Sequence, residues 1–206
     1  MNIYQNLVLL TTSTALSFAA FKTPPAEAAN IIQDQTNGAY QILAFSPIGQ
    51  TFTAEDAFIQ SIGFSLADFN PTFAPDDFSI TVKLYEGIGT SGLLLGSGVF
   101  DQLVDDFNGW ADVDFTSVVL NVGNSYTAIV EDDTVRWGVE AFNENLYLGG
   151  QAILYGSLNE TTDLRFRVLT RETAAPTSVP EPSTIAGLSL LSLSFLLWKR
   201  SNKNLL

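Results

Sequence analysis

Apolar residues recur at every second position through the middle of this chain, and a period of two marks strands with one dry and one wet face. Phe78, Ile80, Val82 and Leu84 alternate with Ser79, Thr81, Lys83 and Tyr85. Leu164, Phe166 and Val168 alternate with Asp163, Arg165 and Arg167. Phe58, Gln60, Ile62, Phe64 and Leu66 are expected on one face, with Gln60 the polar exception, while Ser61, Gly63 and Ser65 face the other way. Tyr126, Ala128 and Val130 repeat the pattern more weakly. Further strands are expected over 40–45, 50–53, 93–100, 111–115, 135–140 and 152–155. Turn clusters separate them at Asn70-Pro71, Pro75-Asp76-Asp77, 87–92, Asn108-Gly109 and 121–125. No stretch of helical length in the middle carries a 3.6 period. About eight to ten half-wet strands must bury their dry faces against each other. The pattern therefore predicts an all-β fold, an antiparallel jelly-roll-like β-sandwich, with an immunoglobulin-like order as the alternative.

Charge narrows the partners. From residue 30 to 178 there are 20 acidic residues against five basic ones (Lys83, Arg136, Arg165, Arg167, Arg171), a net charge of −15. Such a surface repels the phosphates of nucleic acid and of anionic lipid. The chain has no cysteine and no histidine. Disulfides, thiolate catalysis, the common zinc sites and every His-based triad are thereby excluded.

Several stretches spell chemistry. Gly87-Ile88-Gly89-Thr90-Ser91-Gly92 matches GxGxxG, but a dinucleotide site also needs a helix to open there. Leu93 to Phe100 reads instead as the next strand, so a glycine-rich hairpin turn is expected. Asp76-Asp77, Asp105-Asp106, Asp112 with Asp114, and Glu131-Asp132-Asp133 offer the oxygen ligands that calcium prefers, without EF-hand spacing. Solvated loop charge is the favoured reading, so no cofactor is expected and structural calcium stays open as the lesser alternative. Glycoside hydrolysis needs two carboxylates facing across a cleft, and in so acidic a chain a pair alone carries no signal. No enzymatic activity is expected. Trp110, Trp137 and Tyr147 are the rings placed to stack on sugars, with core filling as the competing role.

The two ends read differently from the middle. Residues 7–21 form an apolar run, Pro24 and Pro25 end it, and Ala26-Glu27-Ala28 is a small-x-small cleavage pattern for signal peptidase. Residues 1–28 are therefore expected to be a signal peptide whose apolar run is helical. A spacer over 173–179 then leads to Pro180-Glu181-Pro182, an apolar run over 185–198, and Lys199 and Arg200. As a helix that run spans about 21 Å, short of the bilayer's hydrocarbon thickness. The basic residues would stay cytoplasmic, which leaves the domain over 29–172 outside.

The ordered tail (Val179-Pro180-Glu181-Pro182-Ser183-Thr184, the apolar 185–198, then Lys199-Arg200) resembles the PEP-CTERM family of exported bacterial proteins. The resemblance covers residues 180–206, with the signal peptide as its expected companion. It implies export through the inner membrane of a Gram-negative-type cell and a transient hold there by the short C-terminal transmembrane helix. It also implies cleavage near 180–182 by an exosortase, followed by release or attachment at the surface. Proteins of this family are associated with exopolysaccharide, biofilm and floc formation. Residues 52–54, 59–64 and 82–87 are similar to the sandwich domains that often precede such tails. A carbohydrate-binding module is the alternative from another functional class.

Overall fold

A computed structural model describes residues 29–73 and 78–171. The signal peptide with Ala26 and Ala28, the Asp76-Asp77 pair, the spacer and the tail with Pro180, Glu181, Pro182, Lys199 and Arg200 lie outside the described residues. The strands are β1 (Ile31–Gln33), β2 (Gly38–Gln41), β3 (Ile48–Thr53), β4 (Ile59–Asp68), β5 (Ile80–Glu86), β6 (Leu94–Phe100) and β7 (Asn108–Asp114). They continue with β8 (Ser125–Glu131), β9 (Trp137–Phe142), β10 (Ala152–Leu154), β11 (Ser157–Asn159), β12 (Asp163–Leu164) and β13 (Phe166–Thr170). Among the described residues there is no helix, as the alternation requires.

Two antiparallel sheets result. The first runs β1-β13-β4-β9-β12, with β2 on β9 and β7 on β4; the second runs β11-β10-β3-β8-β5-β6. Their inner faces share one core. Ile62, Phe64, Leu66, Val139, Phe166 and Val168 come from the first sheet, and Phe52, Val82, Leu84, Tyr126 and Ala128 from the second. Phe52 and Phe166 meet across the interface at 6.5 Å between ring centroids. Burying each such side chain contributes roughly 1.5–3 kcal/mol, so the paired dry faces hold the sheets together.

Four details depart from the alternation. Phe58 is exposed and Ile59 buried, because Leu169 pairs Ser61 while the next residue, Thr170, pairs Ile59. Gln60 is the extra residue of a β-bulge, which flips the strand's phase before it. The expected strand over 40–45 stops at Gln41, whose side-chain oxygen takes the Ala44 amide at 2.5 Å and bends the chain into a turn. The short strands β1 and β11 are not signalled by periodicity, because three residues are too few to show a period. Asp163, on the nominally wet face, is fully buried. The glycine-rich stretch is a hairpin turn between β5 and β6, with Gly87 and Gly89 at φ of 78° and 79° where a side chain would be strained.

Candidate functional site

The outward face of β4 is a row of small residues, and their size decides what covers them. Ser61, Gly63 and Ser65 leave room for long side chains from both neighbouring strands to lie across the sheet. Trp110 and Asp112 on β7 stand opposite Ser65 and Gly63. Arg167 on β13 stands opposite Gly63 from the other side. A Cβ built on Gly63 would lie 2.3 Å from the Asp112 carboxylate, so any larger residue would have to push that carboxylate aside.

Arg167 pairs with Asp112 through both carboxylate oxygens, its Nε donating at 2.8 Å to one of them. Arg165 donates from Nη1 to Glu140 at 2.7 Å and from Nε to Asp34 at 2.8 Å. Ser65 donates its hydroxyl to Glu140 at 2.6 Å and accepts from Arg165 at 3.2 Å. Burial works to lower the Arg165 pKa, but the hydrogen bonds to Glu140 and Asp34 outweigh it and the net direction is upward. Both guanidinium groups approach the half-buried Trp110 ring, at 4.4 Å for Arg167 and 5.1 Å for Arg165. This is cation–π geometry. The result is a flat platform carrying one indole ring, two positive and three negative charges, with every charge already paired. It can offer fixed donors and acceptors to a polyhydroxylated ligand, beside an indole ring that the two guanidinium groups already cover in part. Its slight negative excess disfavours acidic sugars.

The three rings do not form one surface. Trp137 is 0% exposed and packs edge-on against Phe78 and Phe107, so it fills the core and is unavailable to a sugar. Tyr147 lies edge-on to Phe166 at 5.2 Å, and burial of its hydroxyl pushes its pKa up to about 12. Trp110 alone stands on an outer face. Sequence reasoning had placed Arg165 and Arg167 on the wet face of their strand without joining them to Trp110. That juxtaposition depends on which strands are neighbours, and β7 and β13 are more than 50 residues apart.

Most carboxylates of the described acidic clusters already have partners. Arg136 is buried and joins Asp68 at 2.5 Å to Asp105 at 2.9 Å, so a guanidinium stands where a cation would. Asp112 is held by Arg167, Asp114 by Thr116, Glu131 by Lys83 at 2.6 Å, and Asp132 by Thr134. Among the described residues no three acidic side chains converge in a way that would hold a metal ion. Three surface cavities of about 270, 270 and 510 Å³ have Asp34 as the only carboxylate in their linings. None of the three offers a facing carboxylate pair. Compared with family models, curated proteins and solved structures, the chain matches none.

Proposed function

We propose that this is an exported, non-enzymatic surface protein whose tail is an address read and removed by an exosortase, and whose domain is delivered to an extracellular polysaccharide matrix. The observation that carries the reading is the tail itself: Pro180-Glu181-Pro182, the apolar run over 185–198, and Lys199-Arg200, in that order. A supporting observation comes from the domain. The Asn30 side chain accepts the Thr170 amide at 2.8 Å, so the first and last described residues of the domain lie at one end of it. A domain held from one end leaves its other end free to face outward. We read the two antiparallel sheets as jelly-roll-like, taking β1-β13-β4-β7 and β3-β8-β5-β6 as the two halves and β2 with β9 to β12 as additions to them. Mass spectrometry of the mature protein is the test. The expected chain begins near Ala29 and ends near residues 180–182; a mature chain that keeps Trp198 and Arg200 overturns the sorting reading.

The Trp110 platform favours a second reading, a carbohydrate-binding module that takes neutral glycans. A glycan array of the protein and its Trp110→Ala variant decides it, with EGTA arms to expose any calcium dependence. Binding lost in Trp110→Ala supports stacking on this ring; equal binding by both proteins, or none by either, removes it.

A further inference from the structure

The end of the domain that carries Asn30 and Thr170 exposes apolar residues at its loop tips. Arg171 donates its amide to the Phe58 carbonyl, and Phe58 bridges to Val119. Gly123 donates to Ala54, which brings the tip carrying Val122 against the β3–β4 connection. Gly87 donates to Ser125, placing Ile88 beside the start of β8. Leu148 and Ile88 line one cavity with Ser125. Phe58, Ile88, Val119, Val122 and Leu148 are between 42% and 93% exposed, Leu148 the most.

Leu148 is not loose. The loop behind it is pinned by the buried Asp163, which accepts the Leu146 and Tyr147 amides at 2.6 and 2.7 Å. Thr53 donates to the Gly149 carbonyl at 3.0 Å from the other side. A leucine held rigidly in water is a standing cost that a partner surface would remove.

We infer that this end docks on the surface of a zwitterionic lipid bilayer, with the tips of the four loops dipping into its interface. The inference rests on the proposed reading of the termini as membrane-directed segments. The opposite end also exposes Phe69, Phe73, Val104 and Val135, so exposure alone does not choose between the ends. The position of the termini does: a bilayer holding either terminal segment meets the Asn30–Thr170 end. Tethering raises the effective concentration of the loops at the bilayer, so shallow contacts suffice. Glu55, Asp56 and Asp114 outnumber Arg171 at the same end and would be repelled by an anionic headgroup layer, which is why the surface is zwitterionic.

The absence of cysteine makes a direct test available. The full chain is prepared as single variants Val122→Cys, Leu148→Cys and Val135→Cys, labelled with a polarity-sensitive fluorophore. Each is mixed with phosphatidylcholine–phosphatidylethanolamine vesicles and floated on a density gradient. The expected result is flotation of all three, with a blue shift at residues 122 and 148 and none at 135. Flotation without that shift, or an equal shift at 135, overturns the docking while leaving the anchored tail standing. Failure to float removes the membrane reading of the tail and the docking with it. A concentration-dependent shift at 148 without vesicles identifies a second copy of the chain as the occupant and overturns the lipid assignment.

Discussion

Asp114 and Asp132 occupy the same three-residue frame, an aspartate followed two positions later by a threonine whose amide and hydroxyl both bond back to the carboxylate. Their environments drive them apart. Asp114 lies in the open, and the amide and hydroxyl of Thr116 hold its pKa below the ordinary carboxyl value. Asp132 is buried, and desolvation raises its pKa despite the Thr134 bonds that pull the other way. Carboxyl-carbon NMR titration should place Asp114 below 3.8 and Asp132 above it. The consequences for stability have opposite sign. Asp114 stabilises the fold at neutral pH and loses that contribution as pH falls through its depressed value. Asp132 stabilises it only when protonated, and loses that contribution as pH rises through its raised value. Asp132→Asn, which keeps an acceptor without the charge, should therefore leave the melting temperature at pH 7 unchanged or higher. Asp163 is the contrasting case. It accepts from Gln50 at 3.0 Å and from two loop amides, and Asp163→Ala strands those donors in the interior. The expected loss is about 3 kcal/mol or more in denaturant unfolding. None of this was legible in the alternation, which put Asp163 on the wet side. The loop that covers Asp163 comes from the β9–β10 connection, about 17 residues away.

At the level of the strand, Gln60 is where pattern and structure part. A polar residue in an otherwise apolar face was the visible signal, and the bulge is its cause: Gln60 turns outward so that Ile59, not Phe58, enters the core. Ile59→Ala should cost about 2–5 kcal/mol by opening a cavity. Phe58→Ser should cost less, about 1 kcal/mol, since that residue is 42% exposed and outside the core. Equal losses in the two variants, measured by denaturant unfolding, would mean the bulge is misplaced by one residue. The strand β6 makes a different point. From Gly87 to Phe100 there is no charged residue, and β6 forms an edge of its sheet with Val99 exposed. Uncharged edges invite pairing with another chain. Val99→Lys should therefore lower concentration-dependent light scattering on heating while leaving the melting temperature of the dilute protein close to that of the parent. The strands β4, β5 and β13 were legible because each carries large apolar residues along one face, while Ala128 made β8 a weaker case. The β2 turn was not legible, because a side-chain hydrogen bond leaves no periodic trace, and the bulge left Gln60 as its one sign.

Across the whole molecule, the all-β class was readable and the strand order was not, for a physical reason: order is set by pairings between residues far apart in the chain. The last strand shows how much depends on this. β13 is not appended to an edge but inserted between β1 and β4, where Phe166 and Val168 enter the core and Arg167 reaches Asp112 on β7. Among the described residues the first strand, β1, pairs only with β13, so it has no place in the sheet until the last one arrives. Such long-range pairing makes folding wait for nearly the entire domain. The described core closes at Val168, ahead of the spacer, so removing the tail takes nothing from it. Two truncations separate these claims. A chain ending at Arg171 should melt within about 2 °C of the full-length protein, because a change far from the core moves stability by a few tenths of a kcal/mol. A chain ending at Leu164 lacks β13, leaves β4 and β1 without their shared neighbour, and should show neither a cooperative melt by circular dichroism nor dispersed amide resonances. A cooperative transition in that shorter chain would show that the first sheet closes without its inserted strand.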